Sequence, residues 1–508
     1  MLSRSIRHVL PMQRRVRYVS FFDRLFSGDE TVEESPMAFG SSEYHLALLG
    51  FVSMTMHPKY SLQNILRDDP DFLMGHVLVG TSQYLSPQLH EDSIASLSKL
   101  NIAKDILSRV ESSTLEKWHV KALECMVTGK FRTAATIYEA ILRQDYSDML
   151  ALKCAIELYD ILGDKTNKLN AVSRVLPLWS ASQPGYSHLL SLQAYGVTEN
   201  GDHGAAHTLA DRAMAMNEED AGALHALLHV NEVQGKHQDG ASILLRSTDS
   251  WETFEVLRTH IHAHHALYLI ETGRFNRVEK LLRNEIFQGD KTISAKVLID
   301  ATQIYWRLVL AGFDAPWVLA ELQKQWQVVL SSKEVALTPL AAIHAYTVLS
   351  QISLSFDFGS IGLGDENWNT SQVATLLQKD IIFFSYPVSG YKELLQNTFD
   401  AIKAYNEQQY QEAANLFLQI RSQIHLLGGS KVEHELYDML LIDAATRGRD
   451  YSLAHLILNE RINAKPQSAQ YWHTFATVME GLGDDDAVQG ARQMSYVLGL
   501  GQAGHGAA

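Results

Sequence analysis

Apolar residues recur three or four positions apart along most of the chain, in segments of roughly 10–20 residues parted by short polar breaks. The stretch opening at Ser113 is typical. Trp118, Ala122, Leu123 and Met126 form one stripe, and Ser113 with Glu116 three residues on is a capping-box pattern. The same spacing predicts helices over 41–57, 72–85, 91–109, 131–144, 147–162, 167–176 and 186–199. It predicts more over 203–216, 219–234, 238–247, 251–272, 275–287, 292–311, 316–330 and 338–354. Alternating Val/Ile/Thr runs are scarce, which argues against a large sheet.

A phrase recurs at the joints between these helices: a small residue, a spacer, an aromatic or His, two spacers, then Ala, Val or Gly. It reads GKFRTA at 129–134, GDHGAA at 201–206, GKHQDG at 235–240 and GRFNRV at 273–278, with a degenerate GDKTNK from Gly163. Successive copies start 34, 38, 34 and 38 residues apart. QQYQEA at 408–413, RDYSLA at 449–454 and GDDDAV at 483–488 echo it. A period near 34 is that of a tetratricopeptide unit, two antiparallel helices joined by a tight turn. One such pair cannot bury its apolar face, so neighbours must stack. The expected fold is all-α: tetratricopeptide-type helical hairpins stacked into a right-handed superhelix, with first helices lining its concave face. The expected organisation is an N-terminal helical region over 23–112 and a repeat array over 113–354. A loop-rich insertion over 355–390, repeat-like helices over 391–500 and a disordered tail over 501–508 follow.

Composition narrows the function classes. The 508 residues are 46% hydrophobic and 20% charged, with only 11 prolines, as a packed helical protein would be. A net charge of −15, with no dense Lys/Arg cluster beyond the N-terminus, argues against nucleic acid. No apolar run approaches the length of a membrane span. Cys125 and Cys154 are too few for a disulfide framework and read as packed small side chains in a reducing compartment.

Several segments resemble the tetratricopeptide repeat protein 38 family. They are DPDFLMGH at 69–76, DMLALK at 148–153, VLPLWS at 175–180, LHALLHVNE at 224–232, HALYLIETGRF at 265–275, LIDATQIYWRL at 298–308 and HLLGGS at 425–430. They run in order over about residues 40–465. The resemblance implies a helical superhelix and no established reaction. It also implies His at His76, His225, His229, His260, His264 and His344, and Glu at Glu232. Where the family carries a further His, this chain has Asn231.

Of 22 histidines, seven fall between 225 and 265. His225 and His229 lie four apart, with Glu232 three further on, on one helix face. His260 and His264, also four apart, follow 35 residues later, about one repeat. Counted from Gly235 and from Gly273, the two ladders differ in register by nearly a turn, which leaves facing or staggered ladders open. Imidazoles with a carboxylate suit zinc or a similar divalent ion. An open metal position would activate water, with Glu199, Glu232 or Glu271 as proton acceptor. Asp300 and Arg307, seven apart on one helix, are further groove candidates, along with His76 and His344. No HExxH motif, phosphate loop or nucleophile elbow occurs. Two readings follow. One is a scaffold that binds a protein, peptide or small polar ligand in its groove. The other is a metal-dependent, hydrolase-like enzyme using the 225–264 histidines.

Residues 1–22 carry Arg4, Arg7, Arg14, Arg15 and Arg17 among Ser and apolar residues, with no acid before Asp23. That is the composition of an organellar transit peptide, so a mitochondrial location is expected, with a cytoplasmic protein bearing a basic arm as the alternative. Mass spectrometry of the native protein is expected to find its N-terminus near residue 20. Recovery of Met1 or Leu2 would refute the transit peptide.

Overall fold

The structure is a computed structural model that describes residues 42–289, 291–332, 336–351 and 391–499. The expected transit peptide, the insertion at 355–390 and the tail at 501–508 lie outside the described residues. Helices α1 (Ser42–Ser53), α2 (Leu73–Leu85) and α3 (His90–Arg109) precede the repeats. Hairpins follow: α4 (Thr114–Val127) with α5 (Phe131–Gln144), α6 (Met149–Ile161) with α7 (Lys165–Val175), and α8 (Tyr186–Asn200) with α9 (His203–Met216). Next come α10 (Ala221–Val233) with α11 (His237–Arg246), α12 (Arg258–Glu271) with α13 (Phe275–Leu281), and α14 (Ala295–Leu310) with α15 (Pro316–Ser331). After α16 (Pro339–Leu349) the described chain resumes with α17 (Tyr391–Asn406) and α18 (Tyr410–Ile420). It ends with α19 (Lys431–Arg447), α20 (Tyr451–Ala464), α21 (Ala469–Leu482) and α22 (Asp485–Leu498). Among the described residues the only β pairing is one isolated bridge, Leu89 to Ile293. None of the described helices is long and apolar enough to cross a membrane.

The recurring phrase is a helix stop followed by a helix start. Lys130 N–H donates to Cys125 O and Gly129 N–H to Met126 O, the paired bonds of a Schellman cap. The same pair recurs at Gly163, Gly235 and Gly273, and also at Gln408 and Arg449, which hold a left-handed φ of 62° without being glycine. The last position of the phrase, Ala134, Ala206, Ala413 or Ala454, is fully buried against the preceding helix. At Gly240 a Cβ would lie 2.4 Å from the Tyr268 ring, so that site admits no side chain. The Ser113–Glu116 capping box forms as the spacing predicts.

The apolar core runs through the array in two large bodies, one from Tyr44 to Leu192 and one from Ala263 to Val478. A smaller body around Leu224, Trp251 and Ile261 lies between them.

The array then closes on itself at two places. Near the N-terminus, Glu255 N–H donates to Thr55 O at 2.8 Å, Leu257 N–H to Met54 O at 3.1 Å, and His57 N–H to the Glu255 carboxylate at 2.7 Å. This docking is where the helix expected over 251–272 breaks. A short turn ending at Trp251 gives way to backbone that bonds the 54–57 loop, and α12 begins only at Arg258. The second closure brings the C-terminal hairpins onto the inner helices. Gly429 N–H donates to Asp160 O at 3.0 Å and Lys431 N–H to Glu199 at 2.9 Å, while Arg307 donates to Val432 O at 2.7 Å. A Cβ on Gly163 would lie 1.9 Å from His425 O, so this approach depends on glycine. Further on, the Lys465 ammonium, 1% exposed, donates to Glu232 at 3.0 Å and to Glu435. Glu435 also receives Arg461 at 2.8 Å and Tyr471 at 2.6 Å. Gln470 donates to Ile270 O at 3.1 Å and Ser468 to Glu271 at 3.0 Å. Residues 428–435 and 465–471 therefore cover the inner faces of α8, α10, α12 and α14.

Removing one member of a buried ion network strands the others without counter-charge. Lys465→Ala should destabilise the protein by about 3–5 kcal/mol in urea unfolding, because Glu232 and Glu435 lose their shared cation. A loss below about 0.5 kcal/mol, the range of ordinary surface substitutions, would show that the closure does not rest on this ammonium.

Candidate metal centre

Two neighbouring inner helices carry the centre. α10 starts from Asp220, whose carboxylate accepts from Ala223 N–H at 3.0 Å, and α12 starts after the break at 252–257. His225 and His229 project from α10, His260 and His264 from α12. One nitrogen from each imidazole lies within 4.8 Å of those of the other three. His225 Nε2 and His260 Nε2 are 3.0 Å apart, and the rings of His229 and His264 are 4.8 Å apart between centroids. The ladders thus face each other. The near-turn offset counted from the glycines is absorbed by an axial shift of α12 against α10, on the order of 4–5 Å for three residues of helix.

The surroundings brace this cluster. Asp300, on α14, sits 2.7 Å from His260 Nδ1, fixing that ring with Nε2 toward the other imidazoles. Glu199, on α8, lies 3.5 Å from His229 Nδ1. Tyr195 packs its ring 5.1 Å from both His225 and His229. A cavity of about 20 Å³ borders His229, His260 and His264, with Asp300, Gln303 and Glu433 also on its wall. Such a volume holds one water molecule or one ion.

Electrostatics keep most of these rings neutral. Burial, then the neighbouring imidazoles, hold His225 and His264 well below the ordinary histidine range. Burial also lowers His229, against the pull of Glu199. His260 is raised: burial opposes its charge, but the Asp300 carboxylate outweighs it. Glu199 is held down at about 2, because His229, Lys168 and Lys165 outweigh its burial. Neutral imidazoles are the form that binds metal.

The other expected site residues go elsewhere. Glu232 does not join the histidines; its carboxylate faces Lys465 and lies 3.6 Å from His237 Nε2. Glu271 accepts from Ser468 and is likewise out of reach as a proton acceptor for the centre. Asn231 donates to Leu227 O within its own helix. His76 lies 2.9 Å from Pro70 O in α2, apart from the cluster. His344 stands one layer beyond it, joined to Gln303 at 2.8 Å, and Arg307 bonds Gln303 and the 432 backbone. Glu433 was not legible as a site residue. In sequence it is only the third residue of a capping box with Ser430, whose N–H it accepts at 2.6 Å. Its carboxyl is pushed up to about 7 by burial and by the nearby Asp160 and Asp300.

The chain matches no family model. It is similar to a solved structure of Naa15/Naa10 bound to HypK-THB, at 13% identity and a TM-score of 0.22, over 90% of this chain. It spans 64% of the length of that chain. A likeness this slight bears on neither function nor partner. The repeat fold itself is read from the hairpins described above.

Buried neutral histidines make stability depend on pH in a definite direction. Groups depressed on folding, namely His225, His229 and His264 with His344 and His434 at about 4, bind protons more tightly when unfolded. Their contribution is complete above the unfolded value of 6.5 and is lost as pH falls toward 4. His237 and His260, raised on folding, act in the opposite sense: they stabilise below 6.5 and lose that contribution as pH rises. The depressed group is larger. The melting temperature of metal-free protein should therefore drop from pH 7 to pH 5, and a flat or rising profile over that window would contradict this balance.

Proposed function

We propose that this protein is a helical-repeat scaffold whose interior holds a divalent metal ion, of zinc type, between two adjacent repeats. The convergence of four mostly buried imidazoles within 4.8 Å carries this reading. Tetrahedral zinc with bonds near 2.1 Å needs nitrogens about 3.4 Å apart, which small ring rotations would supply here. An all-imidazole set also suits copper, nickel or iron, so zinc is the first candidate on availability and geometry. Asp300 and Glu199 would orient His260 and His229 and balance the metal's charge. A small polar ligand fits this interior better than an extended peptide, since the protein's own 428–435 segment lies over the inner helices. Protein prepared without a His tag should contain about one metal ion per chain, and His225→Ala with His264→Ala should remove it. Asp300→Asn should weaken metal affinity by roughly 10–100-fold. A content below about a tenth of an ion per chain, with no uptake on zinc titration, would refute the metal centre.

Hydrolytic chemistry is the second reading, favoured by one observation. Glu433 borders the same small cavity as three of the histidines and has a carboxyl poised at about 7. Such a group is suited to accept a proton from a metal-activated water. Metal-loaded protein that cleaves a nitrophenyl ester no faster than free zinc, or a Glu433→Gln variant as active as the parent, would remove this reading.

A protein partner has its own support on the last hairpin. Leu482, Met494, Tyr496 and Val497 are exposed there, beside the exposed Asp485, Gln489 and Arg492. A second copy of the chain is the simplest occupant. Light scattering that finds a monomer at all concentrations, unchanged by Tyr496→Lys, would rule that copy out. The mitochondrial address of residues 1–22 is likewise proposed on composition alone.

A further inference from the structure

A second cavity among the described residues is neither the centre nor a peptide groove. It is a cleft of about 650 Å³ between the α7 and α9 starts on one side and α18, α19 and α20 on the other. Lys165, His203, His425, Lys431 and His434 face it. In a chain of net charge −15, this is a dense gathering of basic side chains. Three other cations on its wall, Arg421, Arg461 and Lys465, are already matched, because Glu435, Asp438, Glu460 and Glu232 take them up. The Lys165 and Lys431 ammonium groups make no hydrogen bond and no ion pair within 4 Å among the described residues, although both feel the Glu199 carboxylate. Glu199 binds the Lys431 backbone N–H, and the cap carboxylates Asp164 and Asp202 accept backbone N–H groups of their own helices.

The placement of these bases goes against helix electrostatics. Lys165, His203 and Lys431 are the first residues of α7, α9 and α19, helices of 11, 14 and 17 residues. A helix N-terminus carries partial positive charge and ordinarily favours Asp or Glu. Four other copies of the phrase put an aromatic where Lys165 and His203 stand, namely Phe131, Phe275, Tyr410 and Tyr451, while His237 and Asp485 take it in two more. Here three helix starts, each with a carboxylate in its cap, bring three basic side chains to one cleft. A Cβ added to Gly201 would lie 3.3 Å from Lys431 Nζ, which sets the α9 turn directly against that ammonium. His203 Nδ1 is buried without a hydrogen-bond partner. The ammonium groups act on the histidines beside them. After burial, the neighbouring ammonium of Lys165 is the next cause that lowers His425 and His434, and that of Lys431 the next that lowers His203. Val233, Phe417 and Leu418 supply an apolar wall beside the bases.

We propose that this cleft binds a small organic phosphate ester, its phosphate held by Lys165, Lys431 and His203 and its less polar body against Phe417 and Leu418. Helix N-termini and lysines together form the usual chemistry of phosphate capture. A volume of about 650 Å³ suits a ligand far larger than the bare ion. The site is separate from the histidine centre, so its occupancy does not depend on metal.

Calorimetric titration of the full chain, with and without prior chelation, tests this with three probes at matched ionic strength: inorganic phosphate, phenyl phosphate and benzoate. Phenyl phosphate should bind more tightly than inorganic phosphate, and equally with and without chelation. Lys165→Gln and Lys431→Gln should each weaken it by roughly tenfold. Both variants should fold, since Lys165 and Lys431 are only partly buried and neither ammonium donates a hydrogen bond among the described residues; the attraction to Glu199 that each loses should lower the melting temperature without ligand only slightly. No heat with either phosphate, affinities unchanged in both variants, or benzoate binding as tightly as phenyl phosphate would overturn the proposal. Loss of binding only after chelation would overturn its independence from the metal centre.

Discussion

The Lys465 ammonium, buried among Glu232, Glu435 and Arg461, holds the end of the array against its middle. Burying an unpaired ammonium costs several kcal/mol, so the network is tolerable only when all its members are present. With α20 and α21 seated on α10 and α12, the turn before α19 is pressed onto α6, where Gly163 and Gly428 leave no room for a side chain. That position of α19 walls the histidine cavity with Glu433 and lays Lys431 beside Glu199. Both candidate sites are therefore products of the closure rather than of any single repeat.

Glu199 links the two sites. One carboxylate oxygen faces His229 at 3.5 Å, and the other accepts the Lys431 backbone N–H at 2.9 Å. On the histidine side, burial lowers His225, His229 and His264, while Asp300 raises His260. On the cleft side burial lowers all five bases, and Glu199 supports the charge of Lys165 and Lys431. One interior thus presents neutral nitrogen donors at one point and an anion-seeking surface at another, divided by a single ionised carboxylate.

Much of this was legible along the chain. The phrase marked the hairpin turns because its glycines must adopt a left-handed φ and its last residue must pack against the preceding helix. Gln408 and Arg449 show that the turn geometry persists where the glycine is lost. The two histidine ladders were visible as i, i+4 pairs one repeat apart. Their facing was not, because counting from each turn assumes that neighbouring helices are not shifted along their axes. Glu232 shared a face with His225 and His229 by periodicity. The counter-ion that drew it away, Lys465, lies 233 residues on in sequence. Glu433 and Lys431 carried no site signal in the sequence for the same reason.

Helix type, hairpin period and the identity of the donor side chains were thus determined by local sequence, since they depend on spacing within about one repeat and on turn chemistry. Which donors meet, which carboxylates are neutralised and which bases line a common cleft was decided only in the tertiary structure. Those outcomes depend on contacts between segments about 200 or more residues apart, such as Glu255 with His57 and Lys465 with Glu232. No periodicity within a repeat encodes where a closing array brings its own far end.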